Sequence, residues 1–90
     1  MASVPKARRV THVDAVEEFV VKVVRPCGDP PAFWIEDGTG ELKMAFTFDS
    51  DQGKVLAEML GQEGTTYHRA SFTAQGEFGI EAEVLEGYEW

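Results

Sequence analysis

The sequence predicts an all-β domain with one short helix: a five-stranded Greek-key barrel whose helix falls between the third and fourth strands. Three observations carry this reading. Apolar and polar residues alternate along several short runs, the period of strands with one buried face. An Asp-Gly-Thr-Gly stretch separates two of these runs. One segment, near 51–60, has its apolar residues at helical spacing instead.

The first strand is expected near 15–25. Val16 to Val24 reads V-E-E-F-V-V-K-V-V, rich in β-branched residues. Phe19, Val21 and Val23 share one face, and Val16, Val20 and Val24 the other. Apolar residues on both faces fit the long bent strand of a small barrel. Arg25 to Pro31 contains Gly28, Pro30 and Pro31 and reads as a loop. Strands two and three are expected near 32–37 and 41–48, with Asp37-Gly38-Thr39-Gly40 as the hairpin turn. Leu42, Met44, Phe46 and Phe48 then face inward with Phe33 and Ile35. Trp34, Glu36, Lys43, Ala45 and Thr47 face outward.

Asp49-Ser50-Asp51 offers helix N-caps, with negative charge at the positive end of the helix dipole. Val55, Leu56, Met59 and Leu60 form an apolar stripe, and Gly61 is placed to stop the helix. Gly53 near its start costs about 1 kcal/mol relative to alanine. Strand four is expected near 65–73, with His68, Ala70 and Phe72 on one face and Tyr67, Arg69 and Ser71 on the other. Gln75-Gly76 makes a tight turn. Strand five is expected over 77–85, with Phe78, Ile80, Ala82 and Val84 inward and Glu81 and Glu83 outward. Val21, Ile35, Leu42, Phe46, Leu56, Leu60, Phe72 and Ile80 form the expected core.

With 90 residues there is room for one domain. Residues 1–12 lack apolar periodicity and are expected as a flexible basic arm carrying Lys6, Arg8 and Arg9. The barrel domain then spans 13–86, and residues 87–90 form a short acidic and aromatic tail. Tyr88 and Trp90 alternate in a way that also fits an extension of strand five. No apolar run approaches the ~20 residues of a membrane-spanning helix, and Met1 to Val10 has no apolar h-region. The expectation is a cytoplasmic protein with no membrane association. Cys27 is the one cysteine and reads as a bystander; with only His12 and His68 beside it, no metal site is expected.

The strand–helix order separates the fold from its neighbours. An SH3-like barrel does not place a two-turn helix after strand three, and a β-grasp places its helix after strand two. The OB-fold has this order. The run Phe33-Trp34-Ile35-Glu36-Asp37-Gly38-Thr39-Gly40-Glu41-Leu42, followed by a helix and a fourth strand, resembles OB-fold nucleic-acid-binding domains of the replication protein A and aminoacyl-tRNA synthetase anticodon-binding type. The resemblance covers residues 14–86 and implies binding of single-stranded nucleic acid. Several features depart from it. The loop joining strands four and five, Ala74 to Gly76, is short. The loop joining strands one and two carries Asp29 and no basic residue after Arg25. Glu81 and Glu83 face outward on strand five.

The net charge of −8, from 16 acidic and eight basic residues, also runs against a non-specific nucleic-acid binder. The strongest constellation is nonetheless the outer face. Trp34 is a large aromatic at a water-facing position, with Lys43 and Thr47 beside it and Tyr67 and Arg69 on strand four. Single strands are held by aromatic stacking plus a cationic track, and OB-folds use this face. Trp34 fits equally well beneath the N-terminal arm or in a subunit interface. A register off by one would bury it and expose Phe33 and Ile35. His68 reads as a hydrogen-bonded core histidine. No Ser/His/Asp order, HExxH motif or phosphate loop is present, so no enzyme activity, catalytic residue or cofactor is expected. Two functions stand: a small single-stranded nucleic-acid-binding protein, or a protein-interaction module within a nucleic-acid-processing complex.

Overall fold

The computed structural model describes residues 15–90. The arm at 1–12, with Lys6, Arg8, Arg9 and His12, lies outside them. Among the described residues five strands form one antiparallel sheet that curls into a half-barrel, with a single helix. In chain order these are β1 (Ala15–Cys27), β2 (Ala32–Asp37), β3 (Lys43–Thr47), α1 (Asp51–Leu60), β4 (Gly64–Thr73) and β5 (Phe78–Ile80). The sheet order is β3-β2-β1-β4-β5.

The thirteen-residue β1 lies at the centre, pairing with β2 on one side and β4 on the other. Its apolar inner face explains the position. Val21 and Val23 are fully buried, opposite Ile35 on β2 and His68 on β4. The core is completed by Phe33, Leu56, Ala70, Phe78 and Ile80. Leu42, Phe46, Leu60 and Phe72, expected as core, are partly buried and pack against it. Phe46 sits on β3, an edge of the sheet, where one side of each side chain lacks a neighbouring strand.

The β2–β3 register pairs Trp34 with Ala45 and Glu36 with Lys43, so the expected inward and outward sets hold. Asp37 organises the turn. Its Oδ1 accepts from Thr39 Oγ1 and from the amides of Thr39, Gly40 and Leu42. Partial burial raises the carboxyl pKa, but these bonds outweigh it and hold Asp37 below the usual carboxylate range. Gly40 takes the left-handed conformation the turn needs, at φ +78°.

Helix α1 is capped as expected. Ser50 Oγ accepts from the Gly53 amide at 3.0 Å and donates to the Thr47 carbonyl at 2.7 Å. Gly61, at φ +82°, donates its amide to the Ala57 carbonyl and ends the helix. Two details differ from expectation. Val55 is exposed, so the buried stripe runs through Leu56, Ala57, Met59 and Leu60. Gly53 is buried against β3, and a Cβ there would collide with the Thr47 carbonyl oxygen. The residue that weakens the isolated helix is the one that lets it dock.

Strand five is shorter than the expected 77–85. After Ile80 the chain stays beside β4, with Glu81 N donating to Arg69 O and Leu85 N to Tyr67 O. Between them it bulges, and the Glu83 carbonyl turns onto the His68 ring. Val84, expected inward, is 46% exposed as a result. Among the described residues β3 and β5 share no ladder, so the sheet is a half-barrel where a closed or nearly closed one was expected. With β5 only three residues long, little strand remains to meet β3.

Candidate nucleic-acid interface

Residues directly opposite one another in an antiparallel sheet project to the same face. Two cross-strand rows therefore define the outer surface. One runs Lys43, Glu36, Lys22, Tyr67 across β3, β2, β1 and β4. The next runs Ala45, Trp34, Val24, Thr65. Neighbouring strands are about 4.8 Å apart, so each row spans only about 14 Å, roughly the reach of two or three nucleotides.

All five residues expected at the site project from this face. Trp34 is half-buried on β2, and its Nε1 donates to Glu36 Oε2 at 3.2 Å, which fixes the plane of the indole. Lys43 is exposed at the start of β3, opposite Glu36. Thr47, opposite Ala32, ends β3, where its carbonyl also anchors the helix cap. Tyr67 lies two strands from Trp34, opposite Lys22. Arg69, opposite Val20, is held between Glu18 at 3.7 Å and Glu81 at 3.6 Å. Trp34, Lys43 and Thr47 thus form one group on β2 and β3, and Tyr67 and Arg69 a second on β4, with β1 between.

Sequence reasoning missed what joins the groups. Lys22 projects from the middle of β1, and its place was readable as the one cation among the outward Val20 and Val24. Glu36 is the anion between Lys22 and Lys43, and it lowers the positive potential of the row. The chain end was missed more completely. Residues 87–90, set apart as a tail, lie against this same face. Lys22 Nζ donates to the Trp90 carbonyl oxygen at 2.6 Å, and Tyr67 Oη donates to it at 3.1 Å. The Trp90 amide in turn donates to Tyr67 Oη at 3.0 Å.

Beneath the sheet lies a polar network that carries none of these groups. Arg25 is buried; it donates to the Leu60 carbonyl at the end of α1 and to Thr66 Oγ1. Thr66 Oγ1 lies 2.6 Å from His68 Nε2, and His68 Nδ1 lies 2.9 Å from the Glu83 carbonyl. A carbonyl only accepts, so Nδ1 carries the proton, and Nε2 accepts from the Thr66 hydroxyl. Burial pushes the His68 pKa below its usual value. This is the satisfied core histidine the sequence suggests. Cys27 is a half-buried free thiol at an irregularity between β1 and β2. An apolar groove of about 710 Å³ lies between the end of α1 and the β1–β2 loop, lined by Pro26, Pro31, Phe48 and Ala57 among others. Among the described residues no helix is long and apolar enough to cross a membrane. Comparison with protein-family models, curated proteins and solved structures returns no match.

Proposed function

We propose that this domain is an OB-fold module that binds single-stranded nucleic acid through the outer face of β2 and β3, with Trp34 as the stacking platform and Lys43 as its principal phosphate contact. The observation that carries the reading is the shared outward projection of Trp34 and Lys43, one row apart across the Asp37–Gly40 hairpin. A base can stack on the indole while the flanking phosphate reaches the ammonium; stacking contributes about 1–3 kcal/mol per base. Thr47 extends the polar border of the platform, and Tyr67 and Arg69 continue it on β4. The fold-level support is an antiparallel half-barrel whose helix follows the third strand.

A second reading is favoured by charge. The chain carries a net −8, and Arg69 is flanked by two glutamates, which suits a module that binds protein within a nucleic-acid-processing complex. Anisotropy titration of a labelled single-stranded oligonucleotide separates the two. The nucleic-acid reading expects binding that falls steeply with salt and weakens at least tenfold in Trp34→Ala and in Lys43→Ala, with both variants folded. Unchanged affinity in both removes this face. No binding by wild type at any salt leaves the protein-interaction module, with Trp34 as its leading hot spot.

A further inference from the structure

The outer face is already occupied where Lys22 meets Tyr67. The Trp90 ring lies edge-on to Tyr67, with centroids 4.7 Å apart and planes at 73°. Tyr88 lies over the same Tyr67 ring at 6.1 Å with planes only 28° apart. The indole also rests on the hairpin turn: a Cβ at Gly38 would meet it at 3.8 Å, ordinary contact distance. Lys22 Nζ and Tyr67 Oη converge on one oxygen, the Trp90 carbonyl.

This arrangement presents a flat aromatic ring to an aromatic side chain and an oxygen to an ammonium group and a phenol. A nucleotide offers the same two things, a base plane and a phosphate oxygen. The occupant is held at the surface. Tyr88 remains 42% exposed and Trp90 39%, so little of the core depends on them. Glu89 travels with it and Glu86 immediately precedes it, and both are exposed. Their charge opposes the approach of a phosphate backbone while the segment is seated.

We infer that Lys22, Tyr67 and the Gly38 turn form a second nucleotide subsite, and that residues 87–90 are a strap that fills it with Trp90 until nucleic acid displaces it. The inference rests on the proposed nucleic-acid function. It adds Lys22 as a phosphate contact and makes strap release part of binding. Apparent affinity scales with the fraction of molecules whose strap is open. A strap seated in about nine molecules in ten weakens binding about tenfold.

Single-stranded oligonucleotide titrations of wild type and of the double variant Tyr88→Ala/Trp90→Ala test this. The double variant is expected to bind about tenfold more tightly. In that background Lys22→Ala should weaken binding and reduce the slope of log affinity against log salt by about one contact. A second readout follows the strap directly. In wild type labelled with 5-fluorotryptophan, the Trp90 resonance, assigned by its loss in Trp90→Ala, should move to a solvent-exposed shift as oligonucleotide saturates the protein. Equal or weaker binding by the double variant, or a Trp90 resonance unmoved at saturation, overturns the strap and leaves the proposed function standing. Absence of binding by both proteins overturns the proposed function and the strap together.

Discussion

His68 shows how much one side chain does at a position no ligand reaches. Its ring links β4 to the bulged segment after β5 and, through Thr66 and Arg25, to the end of α1. The ring is held neutral because burial penalises its charged form. A histidine whose folded pKa is lowered binds fewer protons folded than unfolded, so stability rises with pH. The contribution is fully present above the unfolded value near 6.5 and is lost as pH falls from there toward the folded pKa. Urea midpoints measured from about pH 7.5 down to about pH 5 should therefore decline in wild type and decline less in His68→Gln. Parallel pH curves for the two proteins would mean that His68 does not titrate differently on folding. The sequence shows His68 on one face with Ala70 and Phe72, and that suffices to place it in the core. Arg25 is less legible. It occupies an inward position of β1, but its carbonyl and hydroxyl partners lie on α1 and β4, far along the chain.

Helix α1 illustrates the limits of propensity as a guide to an element. Its boundaries follow from Ser50 and Gly61, residues whose capping roles are local and therefore readable. Gly53 is different, because the penalty for glycine in a helix is also local, while the reason for it is not. Propensity alone makes Gly53→Ala stabilising by about 1 kcal/mol. The approach of the helix to β3 reverses the sign. A methyl group directed at the Thr47 carbonyl forces the helix start to move, and overpacking of this kind costs about 1–3 kcal/mol. Chemical denaturation of Gly53→Ala should show a lower midpoint with an unchanged slope; a raised midpoint would mean that the helix slides without penalty. The strands divide in the same way. Alternation and the Asp37–Gly40 turn set the register of β2 against β3, because a two-residue period leaves one choice of buried face. The end of β5 was not legible. Its alternation continues to Val84, yet a side chain on β4 captures the Glu83 carbonyl and breaks the ladder.

Across the whole molecule, charge and the strap decide how the outer face meets a ligand. Of the cations there, Arg69 faces Glu18 and Glu81, Lys22 holds Trp90, and Lys43 stands opposite Glu36. Neutralising Glu81 and Glu83 together, as Glu81→Gln/Glu83→Gln, should strengthen oligonucleotide binding. The gain should be larger at low salt than at high salt, since the Debye length shrinks from about 30 Å at 0.01 M to about 10 Å at 0.1 M. A gain independent of salt would point to altered structure near Arg69 instead of removed repulsion. The strap was the least legible part of the site. Acid and aromatics at 87–90 are visible in the sequence, but their destination depends on Tyr67 and Lys22 coming together through the β1–β4 pairing.

That pairing also decides what completes the sheet. β2 follows β1 after a short loop, but the other edge of β1 needs residues far along the chain: Arg25 pairs with Gly64, and Val21 with His68. A β1–β2–β3 meander that lacks β4 has its buried face, with Val21, Val23, Phe33 and Ile35, open to water. Any state of the chain in which β4 is undocked is an incomplete sheet with a free hydrogen-bonding edge along β1, open to the wrong strand until the right one arrives.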